Sequence, residues 1–123
     1  MITGLIVGHR NVSIALLEAL ESISGTYKNI VPISNNGLST QEIMDKIKDA
    51  CNNNPGEEVI LFVDVFGGSC WRAAKMAKVP RSHIITGLNL PMLLSFVNKR
   101  ETVSFDELSA ILEMDGKRGI KTD

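Results

Sequence analysis

Val59-Ile60-Leu61-Phe62-Val63-Asp64-Val65-Phe66-Gly67-Gly68-Ser69 places five consecutive apolar residues before a carboxylate, and then a Gly-Gly-Ser turn. An uninterrupted apolar run this short predicts a strand covered on both faces, at the centre of a parallel sheet. Beyond the turn, Trp71, Ala74 and Ala77 or Lys78 resume a helical rhythm to about Val79. A buried strand feeding straight into a helix is one βα unit of an α/β sheet.

The flanking sequence repeats the unit. Upstream, Ile2 to Val7 reads as a first strand bounded by Gly8, and Val12, Leu16, Ala19, Leu20 and Ile23 follow at helical spacing toward a stop at Gly25. Asn29 to Ser34 is a second strand, and Pro32, which has no N–H for a ladder, assigns it to an edge. Ser39-Thr40-Gln41-Glu42 has capping-box spacing ahead of a helix with Ile43, Ile47, Ala50 and Cys51 on one face, closed by Asn52, Asn53, Asn54, Pro55 and Gly56. Downstream, Ile84 and Ile85 mark a fourth strand ending at Thr86-Gly87. Asn89 then caps a helix with Pro91 in its first turn, and Met92, Leu93, Phe96 and Val97 point inward. Ser104-Phe105-Asp106-Glu107 repeats the capping spacing before Leu108, Ile111 and Leu112, which leaves Lys117 to Thr122 as a short last strand.

Composition bounds the function. The 123 residues are 44% apolar and 22% charged, which suits one domain over residues 1–123 able to bury a core without disulfides or a structural metal. Thirteen Lys plus Arg against fourteen Asp plus Glu leave no basic excess for a phosphate backbone, and aromatics are only 5%, so nucleic acid is not expected as a partner. No apolar run approaches the ~18 residues of a spanning helix, and MITGLIVGHR lacks a signal-peptide pattern, so a cytoplasmic protein is expected. Cys51 and Cys70 form no Cys-x-x-Cys pair, which removes the usual zinc and thioredoxin spacings.

In open α/β sheets ligands bind beyond the carboxyl ends of the strands. Three strand ends carry chemistry: Gly8-His9-Arg10, Asp64 with Gly67-Gly68-Ser69, and Gly87 with Asn89. An imidazole at that edge suits reversible phosphoryl chemistry at neutral pH. Asp64, by accepting from one ring nitrogen, would fix the tautomer and leave the other nitrogen free as a nucleophile; its plainer role is to cap the next turn. Gly67, Gly68 and Ser69 offer backbone N–H groups and a helix dipole to a phosphate, or form only a tight connection with Ser69 as N-cap. Arg10 and Arg72 would add positive charge beside a phosphate, or be merely solvated.

Cys70, at a helix entrance, is a candidate for a lowered thiol pKa, yet no arginine follows either cysteine at the offset of a Cys-x5-Arg phosphatase loop. His83 precedes the fourth strand and is expected at the end opposite His9, in a structural or surface role. No Gly-x-Gly-x-x-Gly or Walker A sequence is present.

The order of these segments, with Thr86-Gly87-Leu88-Asn89-Leu90-Pro91-Met92-Leu93 and the terminal Gly119-Ile120-Lys121, resembles the IIA component of the mannose (mannose/fructose/sorbose) family of the bacterial phosphoenolpyruvate-dependent sugar phosphotransferase system. The resemblance covers nearly the whole chain. It implies that His9 accepts a phosphoryl group from HPr and passes it to a IIB component during sugar uptake, with Asp64 holding the histidine. It also implies a doubly wound α/β sheet of four parallel strands in order 2-1-3-4, with a C-terminal strand, here Arg118 to Thr122, exchanged across a homodimer. No metal or cofactor is required, and a membrane would be met only indirectly, through the IIC/IID transporter.

Two departures stand out. The family usually has Ser-His-Gly where this chain has Gly8-His9-Arg10, and Gly-Gly-Ser-Pro followed by Asn where it has Gly68-Ser69-Cys70-Trp71-Arg72. Arg10, Trp71 and Arg72 would therefore change the charge and shape of the mouth. Two other functions fit the same element order: a regulatory module whose phosphorylation controls a protein partner, and a receiver-like domain phosphorylated on Asp64. The second lacks the acidic pair that a receiver places after its first strand to bind Mg²⁺.

Overall fold

The computed structural model describes residues 1–53 and 57–123; the expected helix stop at Asn54, Pro55 and Gly56 lies outside these. Nine elements follow in the order β1 (Thr3–Gly8), α1 (Val12–Ser24), β2 (Ile30–Ser34), α2 (Thr40–Asn52), β3 (Val59–Val63), α3 (Ser69–Ala77), β4 (Ser82–Thr86), α4 (Leu90–Lys99) and α5 (Phe105–Arg118). The four strands form one parallel sheet in the order β2-β1-β3-β4. Pro32 sits in edge strand β2, where one side of the backbone has no strand partner.

The order reverses between β1 and β3, and with it the face on which the crossovers pack. A right-handed crossover that moves the other way along the sheet must lie on the other face. Accordingly α2 and α3 cover Leu5, Val7, Leu61 and Val63, while α1, α4 and α5 cover Ile6, Ile60, Phe62 and Ile85. Both inner strands are buried throughout, as their apolar runs require.

Local signals explain most of the helix ends. Ser39 Oγ accepts from the Glu42 amide at 3.2 Å while Glu42 Oε1 accepts from the Ser39 amide at 3.0 Å, closing the capping box. Asn89 Oδ1 accepts from the Met92 amide at 3.0 Å, and its Nδ2 donates to the Gly116 carbonyl at 2.9 Å, tying α4 to α5. At Ser104 the box does not close. Ser104 is the N-cap, but no side-chain cap bond forms there.

Several expectations are corrected by packing. In α1 the inward phase is Ser13, Leu16, Leu17 and Leu20, whereas Val12 and Ile23 are exposed. Ser13 sets that phase, because its small side chain lets α1 approach β2 and its hydroxyl donates to the Ile33 carbonyl at 3.0 Å. In α3 the buried residues are Cys70, Ala73, Ala74 and Ala77, with Trp71 at the margin, and the N-cap is Gly68, one residue before Ser69. His83 lies within β4, paired in register with Ile60 and stacked on Phe105 at 4.5 Å between ring centroids. Helix α5 runs through Arg118, so Lys117 and Arg118 are helical, and residues 119–123 form no strand within this chain.

One glycine enforces the layer spacing. A Cβ on Gly4 would stand 2.8 Å from Phe96 Cε2, in the edge-on Phe62–Phe96 contact. The Gly4→Ala variant is expected to lose ~1–3 kcal/mol of unfolding free energy through overpacking, read as a lower urea midpoint.

Candidate active site

Parallel pairing of β1 with β3 puts Val7 beside Val63, so the residues that follow them emerge together at the switch in strand order. Those residues include His9 and Asp64. The Asp64 amide continues the ladder to the Val7 carbonyl at 3.2 Å, and the Val12 amide donates to the His9 carbonyl at 3.1 Å as α1 begins.

One carboxylate oxygen organises the rim. Asp64 Oδ2 accepts from the His9 backbone N–H at 2.8 Å and lies 2.8 Å from His9 Nδ1, while Oδ1 accepts from the Val65 amide at 2.9 Å. A carboxylate can only accept, so the ring proton belongs on Nδ1 and the Nε2 lone pair is left free. Side-chain exposure is 12% for Asp64 and 41% for His9, so the acid is shielded and the imidazole opens to solvent.

The Nε2 side of the ring faces the start of α3. A Cβ placed on Gly68 would lie 3.3 Å from His9 Cε1 and 3.7 Å from Nε2. A side chain here would crowd the ring by a few tenths of an ångström, so glycine leaves this approach widest. Gly67 adopts φ +86°, the left-handed region, which turns the chain from β3 into the helix. No side chain among the described residues caps α3, whose N-cap Gly68 lies beside the imidazole, so the positive dipole end of the helix lies next to the ring.

Arg10 also has a left-handed backbone, at φ +51°, a conformation a glycine adopts without strain. Its amide donates to Asn35 Oδ1 at 2.9 Å and its carbonyl accepts from Ser34 Oγ at 2.6 Å, which over-determines the turn. The Arg10 and Arg72 side chains are in exposed positions, and among the described residues neither forms an ion pair. Asn35 and Ser34 were not singled out from sequence, although Asn35-Asn36-Gly37 has the composition of a turn. Phe66 and Trp71, on either side of the Gly67-Gly68-Ser69 turn in sequence, pack with tilted rings at 4.7 Å between centroids, with Phe66 72% exposed.

Cys70 departs from expectation. Its side chain is fully buried, and burial followed by the Asp64 charge pushes the thiol up to about 11 rather than lowering it. Its Sγ lies 3.9 Å from His9 Nδ1. His83, by contrast, is at the start of β4, at the opposite end of the sheet from His9, and its Nε2 is buried without a hydrogen-bond partner. No helix among the described residues is long and apolar enough to cross a membrane.

Fold and rim together define an open α/β domain with a carboxylate-held histidine at its topological switch. A family model described as "PTS system fructose IIA component" matches residues 4–113. The fructose-specific EIIA component of Bacillus subtilis (strain 168) is 34% identical over 112 residues, covering 88% of this chain and 77% of that protein. The mannose-specific EIIAB component of Escherichia coli (strain K12) is 30% identical over 115 residues, covering 86% of this chain but 34% of the longer relative. The crystal structure of the phosphotransferase system component EIIA from Streptococcus agalactiae superposes with a TM-score of 0.91 at 25% identity, covering 99% of this chain and 97% of that one. The chain belongs to the EIIA family of sugar phosphotransferase systems.

Burial and the raised thiol predict that Cys70 is slow to alkylate in the native protein. At pH 8 its thiolate fraction is roughly one part in a thousand. In the native protein iodoacetamide is expected to reach the half-buried Cys51 first, and a second adduct should appear by intact mass only after denaturation.

Proposed function

We propose that the protein is a phosphocarrier of a sugar phosphotransferase system, with His9 as the phosphoryl acceptor, HPr as donor and a IIB component as recipient during sugar uptake. The observation that carries this reading is the 2.8 Å contact of Asp64 with Nδ1, which leaves Nε2 turned toward Gly68 and the start of α3. Family membership supports the same role in general terms.

In the transfer, the Nε2 lone pair of neutral His9 attacks the phosphorus of the donor phosphohistidine in line. The donor P–N bond breaks, and its electron pair returns to the donor imidazole. Nδ1 keeps its proton, so the ring becomes cationic as the new P–N bond forms, and the adjacent Asp64 carboxylate stabilises that charge. The Gly67-Gly68-Ser69 amides and the α3 dipole meet the equatorial oxygens, while Arg10 and Arg72 supply positive charge at the mouth. Positioning and electrostatics do the work; the protein is a phosphotransferase in that sense, and the step needs no cofactor. Asp64 itself is a poor acceptor, because both of its oxygens are hydrogen-bonded and its side chain is shielded.

A second copy of the chain is part of the proposal. The outer edge of β4 has no strand partner among the described residues, and a groove of about 580 Å³ runs beside it, between His83–Thr86 and the Ser109, Glu113 and Lys117 positions of α5. Residues 119–123 are exposed, Ile120 to 76%, and this exposure supports their pairing with that edge in a partner subunit.

Intact mass after incubation with phosphoenolpyruvate, enzyme I and HPr should show one acid-labile phosphoryl adduct, absent in His9→Ala. Asp64→Asn should slow its formation by on the order of 10²-fold or more through loss of the tautomer. NMR of the phosphorylated ring should show an Nε2 adduct, and an Nδ1 adduct would overturn the assignment. For the dimer, sedimentation at tens of micromolar, roughly where weak dimers still form, should give a dimer that a chain ending at Arg118 cannot form. A full-length monomer under those conditions would refute strand exchange.

A further inference from the structure

The geometry points to a site for a soft divalent cation of the zinc class beneath the imidazole, formed by His9 Nδ1, Asp64 Oδ2 and Cys70 Sγ. These three donor atoms all lie within 4.8 Å of one another, with Nδ1 to Oδ2 at 2.8 Å and Sγ to Nδ1 at 3.9 Å. A tetrahedral zinc with N and O ligands near ~2.0 Å and S near ~2.3 Å separates its ligands by roughly 3.3–3.5 Å. The observed spacings straddle that range. A sub-ångström opening of the His9–Asp64 contact and a similar closing of Cys70 would seat the ion.

Each donor comes from a different element end: the β1–α1 turn, the β3–α3 turn and the first turn of α3. Asp64 keeps its two backbone hydrogen bonds, from His9 N–H and Val65 N–H, when Nδ1 is given to the metal, so the carboxylate stays anchored. Of the three donors only the imidazole is half-exposed, Asp64 being shielded and Cys70 fully buried, so the ion and a water for the fourth position would enter along the His9 side. The ligand set of imidazole, carboxylate and thiolate is one that zinc accepts and magnesium does not.

The proton balance has a consequence for phosphoryl transfer. When the cation takes Nδ1, the proton held there passes to Nε2, and the thiol proton leaves to solvent. Nε2 then has no lone pair for phosphorus. Metal binding and phosphoryl acceptance therefore compete for His9. The site itself rests only on the three donors; the competition rests also on the phosphocarrier reading.

Cobalt(II) reads the site directly. Titration of the full chain should produce thiolate-to-cobalt charge-transfer absorption in the near ultraviolet together with tetrahedral visible bands. Both should persist in Cys51→Ser and vanish in Cys70→Ser, with circular dichroism confirming that each variant is folded. Native mass spectrometry with zinc should give one ion per chain, lost in Cys70→Ser and in His9→Ala. An absent thiolate band, or one that follows Cys51, would overturn the site. With phosphorylated HPr as donor, zinc should abolish the adduct in the wild-type chain and leave it in Cys70→Ser. An adduct that forms undiminished on a chain shown to hold cobalt or zinc would overturn the competition. Failure of the carrier reading appears separately, as no adduct without metal, and leaves the cobalt spectrum untouched.

Discussion

Everything at the rim depends on the parallel register of β1 and β3. With Val7 opposite Val63, the residues leaving the two central strands are carried to the same point, and a carboxylate on one strand end meets an imidazole on the other. Neither strand could slip by one residue, because each is buried on both faces and a slip would turn every side chain into the opposite layer. The register that packs Leu5, Val7, Leu61 and Val63 under α2 and α3 is thus the register that aligns His9 with Asp64. Core packing and site geometry are one constraint.

The environment under the imidazole follows from the same arrangement. Asp64 brings a carboxylate into that space, held by amides rather than by a cation, and its charge both organises His9 and opposes ionisation of the buried Cys70 thiol. A thiol at a helix start is normally helped to ionise by the dipole. Here desolvation outweighs that help, because the side chain lies inside the α2–α3 layer and not at its surface. Arg10 is exposed beside His9, and its left-handed backbone is held by Asn35 and Ser34; Arg72 is exposed on α3.

Much of this was legible in the chain. The uninterrupted apolar run Val59 to Val63, the apolar block Ile2 to Val7, Pro32 in the second strand, and the caps at Ser39 and Asn89 are local signals of burial or backbone hydrogen bonding, and each element appears where its signal puts it. The resemblance to the EIIA family carried the strand order. Less legible were the features set by neighbours. Val12 and Ile23 satisfy a helical period yet face solvent, since the phase of α1 is decided by Ser13 against β2. The segment left over from Lys117 to Thr122 is expected as a short last strand, yet its first two residues continue α5.

By itself the sequence determined the elements, the central place of the third strand and the identity of the residues that leave the sheet at its carboxyl edge. Periodicity, proline and capping chemistry act over a few residues, so they can be read along the chain. Only the tertiary structure decided which ring nitrogen meets Asp64, that Gly68 rather than Ser69 is the N-cap of α3 against that ring, and that Cys70 points inward to within 3.9 Å of Nδ1. Those outcomes depend on contacts between residues more than fifty positions apart, brought together by the pairing of β1 with β3 and the packing of α3 on the sheet.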